Sequence, residues 1–221
     1  MAEERSKRRL AAILAADVVG YTRLMQVDEA HTLSTLKARR RDILQPILAK
    51  HNGRIIKMMG DGVLVEFASA VDAVECAARL QEAMAAANAD QPQDHHIILR
   101  IGVNLGDVIV EGSDLYGDGV NIAARLESIA EPGSILISST AHDHVLNKTK
   151  LGFDDLGAQA LKNIAEPIRA YRVTGTPAVS VATPKAASEK PSIAVLPFEN
   201  MSGDSEQEYF SDGLTEDTAA A

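Results

Sequence analysis

The hydrophobic and polar residues of this chain fall into blocks with two different periods. Leu10–Ala16 is apolar without a break, a pattern typical of a strand buried on both faces. From Asp28 to about His51 the apolar residues return every three or four positions, which predicts a helix capped by Asp28 and stopped by Gly53. Pro46 lies inside that helix and should kink it or break it in two, because proline has no N–H to donate.

Downstream, short apolar blocks alternate with longer amphipathic ones. The sequence predicts these further elements, in order: strands Arg54–Met59 and Val63–Phe67, a helix from Ala70 to about Asn88, strands Ile97–Val103 and Asp107–Glu111, a helix Val120–Ala130, a strand Ser134–Ile137, a helix from Ser139 to about Leu146, and strands Phe153–Leu156 and Ile168–Val173. Two strand pairs are predicted to be hairpins, turned by Gly60-Asp61-Gly62 and by Asn104-Leu105-Gly106. Because hairpins and helical crossovers both occur, we predict an α+β fold with one mixed sheet and packed helices.

The composition changes after the last of these strands. Thr174–Lys190 is dominated by Pro, Ala, Ser, Thr and Val without periodicity, which is the composition of a linker. A new apolar strand is predicted at Ser192–Phe198, followed by a polar stretch too short to be a domain by itself. We therefore predict one domain over residues 1–175, a linker over 176–190, and the start of a second domain over 191–221 that extends beyond Ala221.

Charge and cysteine content narrow the function classes. The net charge of −9 argues against a general binder of nucleic acid or of a membrane surface. The longest apolar run, Leu10–Ala16, is far shorter than the roughly 20 residues that cross a bilayer. The single cysteine, Cys76, allows no intramolecular disulfide, lies on an apolar helix face and should be inert. These features predict a cytoplasmic protein without a membrane span.

Two aspartates at the ends of predicted strands are the main candidates for chemistry. Asp17 follows the first strand, and Asp61 lies between the strands of the first hairpin. Taken singly, Asp17 could cap the following helix and Asp61 could be an ordinary turn residue. If the two carboxylates are neighbours in space, they would form a Mg²⁺ site of the kind that binds nucleotide phosphates.

With these motifs, residues from about Arg9 to Val173 resemble the catalytic domains of class III nucleotidyl cyclases. The resemblance implies a ferredoxin-like, mainly antiparallel sheet and two metal ions, Mg²⁺ or Mn²⁺, at Asp17, Val18 and Asp61. The implied reaction is attack of the ribose 3′-hydroxyl of ATP on the α-phosphate, with pyrophosphate as leaving group. The absence of a Cys/His cluster in the sequence argues against zinc.

The same resemblance implies that Lys57 and Asp114 recognise the purine base. A lysine donor and a carboxylate acceptor complement N1 and the amino group of adenine, whereas guanine would leave both mispaired. Such mispairing costs about 1–3 kcal/mol per buried group, enough to favour ATP over GTP. Without the resemblance, Lys57 would be an ordinary strand residue and Asp114 a loop carboxylate.

Further site residues follow from the resemblance. The turn Gly20-Tyr21-Thr22 would bind the phosphates through backbone N–H groups, as helix starts favour anions. Asn121 would orient the ribose, and Arg125, one helical turn later, would stabilise charge on the reacting phosphate. Two cations would contact the polyphosphate: Arg100 in a strand and Lys162 near the end of the domain. Around Lys162 the chain departs from the family pattern, since Asn163 stands where many members have glycine.

The resemblance also predicts a homodimer in which each active site combines residues of both copies. A second, shorter resemblance joins Pro191–Phe198 and Tyr209–Leu214 to the start of a TolB-like domain, as in some bacterial signalling proteins. The sequence thus favours an adenylate cyclase. It leaves open a weakly active cyclase-like module for nucleotide sensing or dimerisation, and a guanylate cyclase.

Overall fold

A computed structural model of the protein describes residues 7–112 and 114–175. The predicted linker at 176–190 and the predicted TolB-like segment from Pro191 onward lie outside these described residues.

The described residues form an eight-stranded sheet. Its strands are β1 (Lys7–Val18), β2 (Arg54–Met59), β3 (Gly62–Phe67), β4 (Leu99–Glu111), β5 (Asp114–Tyr116), β6 (Ile135–Ser138), β7 (Gly152–Gln159) and β8 (Ile168–Thr174). The strand order is β2-β3-β1-β4-β6-β8-β7, with β5 paired to β4. β4 and β6 run parallel, and the other pairings in the described residues are antiparallel. The predicted mixed, mainly antiparallel sheet is confirmed, and its β2-β3-β1-β4 part is ferredoxin-like.

The helices pack against both faces of this sheet. They are α1 (Tyr21–Val27), α2 (Glu29–Arg39), α3 (Gln45–Lys50), α4 (Ala70–Asn88), α5 (Asp118–Ile129) and α6 (Ser139–Val145), with a short 3₁₀ turn at Gln93–His95. The predicted cap at Asp28 is present, since its side chain accepts a hydrogen bond of 2.9 Å from the backbone N–H of His31. α4 begins and ends at the predicted residues, with Ser69 as its N-cap.

The predicted long helix is interrupted before Pro46 by a wider turn. Between α2 and α3, residues Arg40–Leu44 form a π-helix, in which the N–H of Gln45 donates to the carbonyl of Arg40, five residues earlier. Pro46 then sits in the first turn of α3, where its missing N–H costs little. The helical segment therefore accommodates Pro46 with one extra residue in the preceding helical turn.

β1 lies inside the sheet and separates two apolar cores. Ala12 and Leu14 face the core built with α2, α3 and α4, whereas Ala11 and Ile13 face the one built with α5. This follows from the alternation of side chains along a strand, and it confirms that the unbroken apolar run is buried on both faces.

The predicted hairpin turn at Asn104-Leu105-Gly106 is wrong, because β4 runs straight through it. β4 pairs with β1 along its whole length, from Leu99 opposite Val18 to Val110 opposite Lys7. Asn104 is buried and donates a hydrogen bond of 2.9 Å to the carbonyl of Gly119. The turn-like residue types therefore serve packing against α5.

Cys76 is fully buried, and burial raises the pKa of its thiol to about 12, as expected of an inert side chain.

In the part of the chain that the structure describes, no helix is long and apolar enough to cross a membrane.

Glu66 is a buried acid on β3 whose replacement should destabilise the fold. Its side chain is 6% exposed and pairs with Arg9 on β1 and Arg54 on β2, the latter at 2.6 Å. Burial raises the pKa of Glu66, but hydrogen bonds from Arg9 and Arg54 outweigh burial and hold the pKa below its usual value. We expect Glu66→Gln to lower the free energy of unfolding at neutral pH by about 1–2 kcal/mol, measured by urea denaturation.

The pH dependence of this effect has a definite sign. Because the pKa of Glu66 is lower in the folded state, its contribution is present above the unfolded value and is lost as the pH falls through the folded one. The difference between wild type and Glu66→Gln should therefore vanish in acid. Glu82→Gln is the control, since Glu82 pairs with the exposed Arg79 at the surface and its replacement should change stability by less than about 0.5 kcal/mol. An equal effect of both variants would contradict the prediction.

Candidate active site

Two aspartates meet at one end of the central strands. Asp17 is the penultimate residue of β1, and Asp61 lies in the two-residue turn between β2 and β3. β1 pairs with β3 so that Ala16 is opposite Val63, which brings Asp17 level with Gly62, the residue after Asp61. The two positions are close, since a Cβ at Gly62 would lie 3.8 Å from Oδ1 of Asp17. The structure therefore brings together the two carboxylates singled out in the sequence.

Asp61 lies in an environment that disfavours its charged form. Burial raises the pKa of Asp61 to about 6, and a hydrogen bond with Asp17 and the charge of Asp17 add to the rise. A backbone hydrogen bond and the positive charge of Arg40 act in the opposite direction. Because two carboxylates this close repel when both are ionised, a cation bound between them would stabilise the pair.

Arg100 provides one positive charge on the open side of Asp17. It lies opposite Asp17 in the β1–β4 register, and its Nη2 donates to Oδ2 of Asp17 at 2.9 Å. The same nitrogen is 3.3 Å from Oε1 of Glu127 on α5. The Arg100 side chain therefore lies between two acidic side chains and contacts both of them.

Glu127 was not predicted from the sequence. Its side chain is 14% exposed, and burial raises its pKa to about 7 against the opposing effect of Arg100. The sequence offered one sign of a close contact near Glu127: Gly102 is a glycine inside a strand, which often marks a close approach of another backbone segment. A Cβ at Gly102 would collide with backbone atoms of Ala123 and Glu127, so glycine allows α5 to sit directly on β4.

The Gly20-Tyr21-Thr22 turn connects β1 to α1 beside Asp17. Gly20 is in the left-handed conformation with φ +65°, which glycine adopts without strain, and it is the N-cap of α1. Tyr21 packs against the core and Thr22 is exposed. Backbone N–H groups in this first turn have no intrahelical acceptors, as the predicted phosphate role requires.

Lys57 lies on β2 and Asp114 on β5, two strands that are not paired with each other. Lys57 is exposed on β2 opposite Leu64, and Asp114 begins β5 opposite Glu111. β2 and β5 nevertheless approach each other in space. Asp114 therefore lies in a short strand rather than the expected loop, and the hydroxyl of Tyr116 is 3.4 Å from its Oδ2.

Asn121 and Arg125 lie on the outer side of α5. Asn121 is exposed and Arg125 is half-buried, whereas Ala123 and Leu126 of the same helix are fully buried. The spacing of four residues places Asn121 and Arg125 on one face of the helix.

Lys162 is exposed in the segment between β7 and β8. Its neighbours Leu161 and Ile164 pack in the same apolar cluster as Leu126 of α5, so the segment is held close to that helix. Asn163 has φ +62°, in the left-handed region that favours glycine. Asparagine tolerates this conformation better than most residues, which explains how it can stand where many family members have glycine.

Comparison with known proteins assigns the family. The family model described as "Adenylate and Guanylate cyclase catalytic domain" matches residues 4–175. The chain belongs to that family. The match covers the whole sheet and all the site residues described above.

Individual relatives of this cyclase domain agree with the family assignment. The chain is 55% identical over 223 residues to "Putative adenylate cyclase 3" of Rhizobium meliloti (strain 1021), covering 98% of this chain and 38% of that protein. It therefore spans less than two fifths of that relative's length.

Two solved structures are similar to this cyclase domain. The adenylate/guanylate cyclase/hydrolase of Silicibacter pomeroyi has 44% identity and a TM-score of 0.72, covering 77% of this chain and 99% of that one. The adenylyl cyclase CyaB of P. aeruginosa has 27% identity and a TM-score of 0.66, covering 77% and 96%.

The site residues of this cyclase domain form two separate groups. The first is Asp17, Asp61, Arg100 and Glu127, linked by the contacts given above. The second contains the polar residues on the outer side of α5, on β2 and β5, and near β8: Lys57, Asp114, Asn121, Arg125 and Lys162. Within residues 7–112 and 114–175, no hydrogen bond or salt bridge joins a member of one group to a member of the other.

The carboxylate pair of the cyclase domain fits Mg²⁺ or Mn²⁺. Among the described residues, no group of three or more His, Cys, Asp or Glu is arranged to hold a metal by itself. Mg²⁺ is commonly held by one or two carboxylates together with substrate phosphates, which is the donor set that Asp17 and Asp61 offer. Val18 is buried and aliphatic, so only its backbone carbonyl could take part.

Proposed function

We propose that this chain is an adenylate cyclase, which converts ATP to 3′,5′-cyclic AMP and pyrophosphate. The observation that carries the proposal is the close pair of Asp17 and Asp61 at the strand ends of a cyclase-family domain. Relatives named adenylate cyclase support ATP as the substrate. Because the chain covers only part of those relatives, the activity is a proposal for this chain itself.

Asp17 and Asp61 would hold two divalent ions together with the backbone carbonyl of Val18. When bound, such ions lower the pKa of the ribose 3′-hydroxyl and offset the charge of the triphosphate. Arg100 would leave Asp17 for the polyphosphate, since its guanidinium is the nearest cation to this pair on β4. The backbone N–H groups after Gly20 would contact the same phosphates.

The second group would bind the nucleoside and the reacting phosphate. Lys57 would donate to N1 of adenine, and Asp114 would accept from its amino group. Asn121 would orient the ribose, so that the 3′-oxygen forms its bond to the α-phosphorus as the bond to pyrophosphate breaks. Arg125 and Lys162 would stabilise the negative charge on the α-phosphate and the polyphosphate.

A homodimer would complete the site. Since no hydrogen bond or salt bridge joins the two groups among the described residues, each active site would combine the aspartates of one copy with the second group of its partner. Exposed apolar side chains on β2 and β5 support a contact there: Met59 is 52% exposed, Tyr116 50% and Met58 40%. A cytoplasmic location, favoured by the single cysteine, belongs to the same proposal.

The test is product formation by the purified chain. The chain is incubated with ATP or GTP and with Mn²⁺ or Mg²⁺, and cyclic nucleotides are separated by mass-resolved chromatography. Cyclic AMP as the main product is expected. Cyclic GMP would favour a guanylate cyclase, and absence of product from a folded dimer that binds ATP would favour a nucleotide-sensing module.

The proposed role of Lys57 and Asp114 in base recognition can be tested by substitutions that favour guanine over adenine. We expect Lys57→Glu combined with Asp114→Cys to shift the ratio of kcat/KM for ATP to that for GTP by at least about tenfold toward GTP, since each mispaired group costs about 1–3 kcal/mol. The control is Lys50→Glu, which changes an exposed lysine on α3 and should leave the ratio unchanged. An unchanged ratio in the double variant would remove these residues from base recognition.

A further inference from the structure

The turn that carries Asp61 has few contacts of its own. β2 is an edge strand of the sheet, and five of its six residues are exposed. The β2–β3 ladder ends at the pair Met59–Gly62, so Gly60 and Asp61 lie beyond the last paired residues. Gly60 is exposed, and a Cβ there would meet nothing within 4 Å. A contact from outside the hairpin would therefore add to what fixes the position of Asp61.

Arg40 supplies that contact from the helical side. Its Nη2 donates a hydrogen bond to the backbone carbonyl of Gly60, directly before Asp61. Arg40 and Asp61 line the same small cavity, between Leu36 and Leu44 of the helices and Val63 of β3.

The π-helix explains why Arg40, rather than a neighbour, reaches the turn. Arg40 is its first residue, and the carbonyl of Arg40 accepts from Gln45, five residues on. Buried Leu36 and Leu44 anchor the helix on either side, so the backbone at Arg40 is held in place. π-helical turns are frequent at functional sites because the added residue redirects a side chain.

The adjacent arginine provides a built-in comparison. Arg41 belongs to the same π-helix but is 73% exposed, and its hydrogen bonds go to Asp42 alone among the described residues. The two arginines are therefore adjacent in sequence and share the same helix and charge. They differ in whether the guanidinium reaches the Asp61 turn.

We propose that Arg40 is a positioning residue for the metal site, which holds the Gly60–Asp61 turn where Asp61 can share a divalent ion with Asp17. This inference rests on the proposed function, because it assumes that the two aspartates bind metal. Arg40 acts through the turn and does not itself have to touch ATP. Residues that orient a metal ligand from behind commonly change metal affinity by about 10–100-fold when they are replaced.

The test measures metal binding directly. Wild type, Arg40→Ala, Arg40→Lys and Arg41→Ala are titrated with Mn²⁺ in the presence of 3′-deoxy-ATP, which cannot cyclise. Free Mn²⁺ is counted by electron paramagnetic resonance, and the Mn²⁺ bound by 3′-deoxy-ATP alone is subtracted with a protein-free titration. We expect Arg40→Ala to weaken Mn²⁺ binding about tenfold and Arg40→Lys about threefold, with Arg41→Ala equal to wild type. Thermal midpoints of unfolding are measured for each variant.

Activity gives a second reading of the same variants. In Arg40→Ala, the Mn²⁺ concentration for half-maximal cyclic AMP formation should rise about tenfold, while the KM for ATP at saturating Mn²⁺ changes less than about twofold. A merely structural role would lower the thermal midpoint without this split. The Lys variant keeps the charge but loses the planar fork that binds the carbonyl, so partial recovery is the expected pattern.

The outcomes separate the two proposals. Wild-type Mn²⁺ affinity in a folded Arg40→Ala protein overturns the role of Arg40, as does an equal loss in Arg41→Ala. If Arg40→Ala fails to fold, wild-type affinity in Arg40→Lys overturns it. If wild type binds Mn²⁺ but forms no cyclic nucleotide, the cyclase activity fails and the titration still decides the role of Arg40. If wild type binds no Mn²⁺, the role of Arg40 falls with the metal site.

Discussion

Replacing Asp61 with asparagine should lower kcat for cyclic AMP formation by about a thousandfold or more. Asparagine keeps the size and the turn geometry, but it removes a negative charge from the pair with Asp17. A neutral amide is a much weaker ligand than a carboxylate for a hard divalent ion, so metal affinity and turnover should fall together. The measurement is the initial rate of cyclic AMP formation over a range of Mn²⁺ concentrations.

The fold should survive this change. Burial and the charge of Asp17 both oppose ionisation of Asp61, so removing its charge relieves a repulsion in the metal-free protein. We expect the thermal midpoint of Asp61→Asn to be equal to or higher than that of wild type. Asp90→Asn, at an exposed position after α4, is the control and should retain full activity. Near-normal activity of Asp61→Asn would exclude Asp61 as a metal ligand.

Mixing two inactive variants should restore activity. Asp17→Ala disables the aspartate group, and Arg125→Ala disables the second group, so a heterodimer of the two keeps one intact composite site. With equal amounts and random pairing, half of the dimers are heterodimers with one working site of two. The expected rate is therefore about a quarter of the wild-type rate, measured after the subunits have exchanged.

A matched mixture distinguishes sharing from other causes of recovery. Asp17→Ala mixed with Asp61→Ala damages the same group in both copies, so every site of every dimer lacks one aspartate and activity should stay absent. Heterodimer formation is verified in both mixtures by pairing differently tagged chains. Recovery in neither mixture, with heterodimers present, would show that one copy holds a complete site.

The sequence predicted most elements because local and tertiary preferences agree in them. α4 combines a serine cap, a strong apolar face and no breaker, and it begins and ends as expected. In β4 the two preferences conflict. Asn104 and Gly106 are typical turn residues, but the buried amide of Asn104 finds its partner at Gly119, and Gly106 lets that segment approach, with a Cβ there only 3.3 Å from Cα of Gly119. Such partners cannot be seen in a local pattern.

Some residues of the candidate site could likewise be predicted from the sequence, and others could not. Asp17 and Asp61 could be predicted because each follows an apolar strand, and strand ends gather at sheet edges. Glu127 and Arg40 could not, because their partners are far away along the chain and depend on exact helix placement. A π-helix in particular leaves no clear pattern in the apolar periodicity, and Pro46 indicated only that the helix would be disturbed.

The contact at Gly102 has a consequence for regulation. Since the backbone of α5 rests directly on β4 at this glycine, the helix has no room to slide or tilt toward the sheet. The aspartates on β1 and on the β2–β3 turn are therefore expected to keep a constant distance from Asn121 and Arg125 of α5 within each copy. In the proposed homodimer, an activator or inhibitor is then expected to act by changing how closely the two copies approach each other.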